Sequence, residues 1–233
     1  MEQVILDRIP LKLSLRRLAK KLRLPDDDAY LQDLKTMVAE ARAAGRPKAL
    51  YRMVFIESKG DDTIVIDGVT FKSRVLRVNT DQAHRVFPYV ATCGLELEEW
   101  SHTKQDLLQS FWADGIKEMA VYEAMRVLRN HLVETFEIKR ASTMAPGSLS
   151  DWPIQQQRPL FALLGNVKDA IGVVLSHSLL MQPSKSVSGI LFPTEGSFES
   201  CQLCPRPSCP NRRAPYDKDL YDQKYRPTGG AVG

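Results

Sequence analysis

The stretch APGSLSDWPIQQQRPLFALLG (residues 145–165), continued five residues later by IGVVLSHSLLMQPSKSVSGILF (residues 171–192), decides how this chain is read. Pro146-Gly147 is a tight turn between two elements. Pro153 suits the first turn of a helix, where a missing N–H costs nothing, and the apolar spacing carries that helix to about Leu164. Residues 171–175 and 187–192 are rich in β-branched residues and read as strands. Ser186 and Ser188 flank Val187, so they share one face of the second strand and are candidates to line a pocket. Helix and strand signals are mixed along this stretch.

Working outward, the period changes several times. Residues 5–24 are apolar at helical spacing, with Arg16, Arg17, Lys20, Lys21 and Arg23 between, and the helix stops at Pro25. The acidic run 26–28 caps a second helix over 29–44, ended by Gly45. Residues 49–56 and 63–66 read as strands separated by the turn at Gly60, and Asp67-Gly68 turns the chain into a third over 69–73. Residues 86–93 are a buried strand, 95–102 a short helix, and 105–136 a helix long enough to be the spine of the domain, with Asp114 as an N-terminal charge. Residues 140–150 read as a loop. After residue 197 the aliphatics thin out in favour of Cys, Pro, Arg, Asp and Tyr. This divides the chain into a domain over 1–197 and a peripheral, Cys-rich extension over 198–233, fraying over 229–233.

Three segments carry a resemblance: VATCGLELEEW (90–100), DGIKEMAVYEAM (114–125) and the 145–192 stretch quoted above. In that order they resemble the activation (reactivation) domain of cobalamin-dependent methionine synthase and its stand-alone relatives, over about residues 1–197. The resemblance implies an α+β domain, with a mixed or antiparallel sheet and long helices, that binds S-adenosylmethionine beside a cobalamin-carrying protein. In the family, inactive Co(II) is reduced and methyl transfer from S-adenosylmethionine removes the Co(I) product, which draws the uphill reduction forward. It also implies a cofactor loop at Ala145, Pro146, Gly147 and Ser148. Here the chain departs from its relatives. Thr143 stands where they carry arginine and Ser148 where they carry tyrosine; a threonine cannot offer a carboxylate the guanidinium fork, and Arg140, three residues upstream, is the candidate replacement.

Of four cysteines, Cys201, Cys204 and Cys209 fall within nine residues. A Cys-x-x-Cys turn lets both sulfurs face one metal, and Pro205 and Pro210 stiffen the loop. Cys93 is the candidate fourth ligand, brought in through the fold. An iron–sulfur cluster would make the loop an electron-transfer port; zinc would make it a structural clip; free or redox-active thiols are the third reading. The family context favours the cluster, fed by an electron donor protein, because a stand-alone activator lacks an attached redox partner.

The remaining composition is that of a globular protein: 233 residues, 43% hydrophobic, 26% charged, net charge +4. That balance argues against a nucleic-acid partner. No apolar run approaches a membrane span, no signal peptide opens the chain, and a cytoplasmic location is expected. The sequence therefore predicts an accessory protein for a corrinoid partner such as methionine synthase. It would act as a redox activator, as an S-adenosylmethionine-dependent one with structural cysteines, or as a zinc-clipped adaptor without chemistry.

Overall fold

The computed structural model describes residues 2–25 and 27–227; Asp26 of the acidic cap and the 229–233 end lie outside the described residues. The chain opens with β1 (Val4–Leu6), α1 (Leu15–Leu22), α2 (Asp28–Ala44), β2 (Lys48–Tyr51), β3 (Val54–Lys59), β4 (Thr63–Ile66) and β5 (Val69–Lys72). It continues through α3 (Arg74–Asn79), β6 (Arg85–Thr92), α4 (Leu95–His102), α5 (Leu107–Thr135) and β7 (Ala141–Met144). A 3₁₀ turn (Ile154–Gln156) leads into α6 (Gln157–Leu164), α7 (Val167–Ile171), β8 (Val174–Leu175), β9 (Met181–Gln182) and β10 (Ser186–Pro193).

The architecture is α+β. β6 is the axis of an eight-stranded sheet whose described pairings are all antiparallel. One edge of β6 carries β10, which carries β7; the other edge carries β2 and then β3. Residues 49–56 were expected as one strand. They are two, because the break over Arg52 and Met53 faces Pro88 of β6. The Arg52 N–H bonds the Pro88 carbonyl at 3.1 Å, but proline has no N–H to return, so the ladder is interrupted. Asp67 and Gly68 both take positive φ (49° and 77°), the two-residue turn that matches strand twist.

Two apolar clusters pack on this sheet and a third lies beside it among the helices. One face packs against α6, α7 and the meander, around Ile64, Phe71, Trp152 and Leu160. The other rests on the C-terminal half of α5 through Ala124, Leu128 and Leu132. The N-terminal half of α5 joins α1, α2 and α4 in a helical cluster around Trp112.

The structure revises four further expectations. Pro10 delays the first helix, which starts at Leu15 under a Ser14 cap, and residues 4–6 pair with β2 instead. The 140–150 loop contains β7. α7 takes Ile171, leaving β8 only two residues. The extension after residue 197 is not peripheral: Phe198 (4% exposed) and Tyr225 (0%) are buried in the main core, with Leu203, Cys204 and Leu220 against it. Two aromatic side chains supply the burial that the missing aliphatics do not.

Candidate functional site

The start of β10 and the end of β7 meet where the chain turns at Pro146, and that turn builds one wall of a groove. Gly147 has φ +83°, and a Cβ there would come within 2.9 Å of the Ile154 side chain, so the turn closes tightly only with glycine. Its N–H bonds the Trp152 carbonyl (2.7 Å), while the Ser148 hydroxyl donates back to the Ala145 carbonyl (2.6 Å). Gly189 fixes the strand spacing behind the turn, since a Cβ there would meet the Met144 carbonyl and come within 2.9 Å of the Tyr89 Oη.

The groove, about 380 Å³, is bounded by Ala145 and Pro146, by Ile154 and Gln157, by the β8–β9 hairpin at Leu180 and Met181, and by Ser184, Ser186 and Ser188. Its hydroxyls are held. Ser188 donates to Gln157 Oε1 (2.8 Å), both side chains being buried. Ser186 donates to Thr92 Oγ1 (2.9 Å) and to the Pro183 carbonyl (2.8 Å). Ser184 lies at 3.2 and 3.4 Å from the two Glu98 oxygens.

No formally charged residue lines the groove, but a charged cluster stands behind Ser184. Glu98 Oε2 accepts from Lys117 Nζ at 2.9 Å, and Lys185 Nζ sits 2.8 Å from Asp114 Oδ2. Burial pushes the Glu98 carboxyl up, but the Lys117 hydrogen bond and charge outweigh it and hold the group below its ordinary range. Asp114 is therefore no helix-terminal charge. Asp106 caps α5 by accepting from the Gln109 N–H (2.9 Å), and Asp114 pins the loop before β10 to the helix.

Of the seven residues expected at a cofactor site, the groove brings together Ala145, Pro146, Ser186 and Ser188. Gly147 and Ser148 shape the turn without lining it. Arg140 is absent from it, at the opposite end of β7, with its Nη1 on the Glu195 carbonyl at 3.0 Å; five residues of strand amount to about 16 Å. Thr143 is turned toward Tyr89, on the sheet face opposite Ser188. Gln157, Ser184, Glu98 and Lys117 were missed, because only the fold brings α4, α5 and α6 to one end of β10.

The cysteines divide. Cys93 is fully buried in the helical cluster at the end of β6 next to residue 185; burial pushes its thiol up to about 12, with Glu98 adding to the shift. The other three follow the far end of β10, so Cys93 is not gathered with them. Among the described residues no group of three or more Cys, His, Asp or Glu side chains is drawn together as a metal site. What orders the tail loop is Arg212. Its guanidinium donates to the carbonyls of Cys201 (3.1 Å), Cys204 (3.3 Å), Ala214 (3.3 Å) and Arg206. The Arg213 N–H lies 3.5 Å from the Cys201 sulfur. The loop leans on α5, where Tyr122 Oη reaches Asn211 Oδ1 at 3.2 Å.

No protein-family model matches the sequence, and no curated protein is detectably similar to it. Among described residues no helix is long and apolar enough to cross a membrane. Among solved structures, the chain is similar to the MetH reactivation domain bound to AdoHcy, at 14% identity and a TM-score of 0.56, over 82% of this chain and 70% of that one. It is a likeness of fold, and it agrees with the architecture that the 145–192 stretch predicted.

Proposed function

We propose that this chain is an accessory protein to a corrinoid methyltransferase such as methionine synthase, and that the groove beside the 145–147 turn holds S-adenosylmethionine while the partner's cobalt is returned to the methyl-accepting state. The observation that carries this reading is the convergence of Ala145, Pro146, Ser186 and Ser188 on one groove. The solved domain that shares the fold holds AdoHcy, the demethylated form of the same ligand.

The donor set suits such a ligand. Aliphatic and thioether side chains offer an apolar wall, and hydroxyl and amide groups offer hydrogen bonds to a ribose. The zwitterionic end of the ligand needs charge, and here Lys117, Lys185 and Glu98 behind Ser184 take over from the arginine that the related loops carry. The ligand supplies an electrophilic methyl group. One electron from a separate donor protein converts Co(II) to Co(I), whose electron pair takes the methyl carbon as the carbon–sulfur bond breaks and AdoHcy is released. The chain's own part is to hold and orient the ligand and to exclude water from the reacting atoms.

In the finer reading, Cys201, Cys204 and Cys209 would be the residues to hold an iron–sulfur cluster, which would supply one-electron chemistry; as the loop stands they are not drawn together as a metal site, so it would have to close around the cluster. Arg212 supports it by fastening the loop, and an N–H beside a sulfur stabilises the thiolate form. With zinc in its place, the loop would only clip the tail.

Calorimetry of the full chain with S-adenosylmethionine and AdoHcy tests the groove. Saturable binding weakened about tenfold by Lys185→Ala is expected; no heat at millimolar ligand overturns it. Anaerobic purification tests the loop: iron and sulfide with absorption near 400 nm support the cluster, and a colourless zinc protein rejects it.

A further inference from the structure

Away from the groove, the segment before α1, α1 itself, the C-terminal end of α2 and the middle of α5 enclose an open basin of about 670 Å³. Four elements contribute its charge: Lys12 from the segment before α1, Arg17 from α1, Arg42 from α2, and Arg126 with Glu123 from α5. Four cations and one carboxylate leave +3 in the basin, against +4 for the whole chain.

Packing and ion pairing within the chain do not account for it. Arg126 grips Glu123 with both arms of its fork, at 2.9 and 2.6 Å, so the one carboxylate present is already taken. The Arg126 hydrogen bond, with Lys12 nearby, keeps Glu123 ionised below the ordinary carboxylate range. Arg42 lays one nitrogen on the Leu13 carbonyl (2.6 Å), which fixes its guanidinium in the basin wall. Lys12 and Arg17 have no ion-pair partner among the described residues. A concave site with this much uncompensated charge concentrates anions, and guanidinium forks match the oxygens of phosphate.

We infer that this basin binds a multiply charged phosphate compound, with a diphosphate or triphosphate group as the moiety recognised. The net charge of +3 fits such a group better than a monoanion, and the volume accommodates more than a single phosphate. The inference stands on residues that the proposed S-adenosylmethionine groove does not use.

Inorganic pyrophosphate titrated into the full chain at low ionic strength is the direct probe, read by calorimetry. One-site saturable binding is expected, with an apparent Kd at least tenfold weaker in the Lys12→Ala/Arg17→Ala double variant. Lys20→Ala, on the same helix but outside the basin, should change it less than twofold. Unchanged thermal midpoints in all variants guard against misfolding, and Arg17→Gln alone provides a milder second test. No saturable heat overturns the proposal. So does equal weakening by Lys20→Ala, which would mark diffuse charge, or binding of polyglutamate but not pyrophosphate, which would mark an acidic protein partner.

Discussion

Ser188 and Gln157 form the one buried side-chain pair in the groove wall, and truncating one leaves the other without its partner. Ser188→Ala is expected to cost about 1–2 kcal/mol of stability and to weaken AdoHcy about fivefold; denaturant midpoints and calorimetry check the two effects separately. Cys93 invites a different measurement. Its thiol is buried, which pushes its ionisation up to about 12, whereas Cys201, Cys204 and Cys209 are half-exposed. In protein stripped of metal by a chelator, iodoacetamide at pH 8 should add three labels to the folded chain and four to the denatured one, as read by mass spectrometry. A fourth label on native protein would mean that the end of β6 opens.

At the scale of elements, β7 is the strand on which the groove depends and one that the sequence hid. Residues 141–144 (ASTM) carry little β propensity and pair only with β10, so nothing local marks them. By contrast Ser186 and Ser188 were legible, because alternation along a strand is a local property. Glu98, Lys117 and Ser184 were not, since they lie on separate elements joined only by the fold. Pro10 and Pro88 were in plain view, but their effect depends on which neighbour each faces. Gly189→Ala tests the element directly. Its Cβ would press on the Met144 carbonyl and the Tyr89 ring, part β7 from β10, and shift the 145–147 turn. We expect about 2–3 kcal/mol of lost stability and loss of AdoHcy binding, while Gly196→Ala, where nothing lies within 4 Å, leaves both unchanged.

For the whole molecule, the tail and the domain stand or fall together. The expected boundary at 197 placed the extension outside the core, yet Tyr225 is fully buried, with Asn79 Oδ1 accepting from its hydroxyl at 3.1 Å. Tyr225→Ala should therefore cost about 3–5 kcal/mol, and a chain ending at 197 should unfold more easily throughout. Alkaline pH probes the same burial. Tyr225, Tyr89 and Cys93 are each pushed up to about 12, first of all by burial. Unfolded, the tyrosines ionise near 10 and the cysteine near 8.5. Below those values both states hold their protons and stability is intact. As pH rises beyond them the unfolded chain releases protons that the folded chain retains, so stability falls between about pH 9 and 12, each group adding up to about 1.4 kcal/mol per pH unit. Tyr225→Phe removes one of these groups; Tyr122, likewise pushed up to about 12, remains in both chains. Urea midpoints measured from pH 8 to 11 should decline less steeply in that variant than in the parent chain. Parallel declines would show that Tyr225 is exposed to water and that the tail does not close the core.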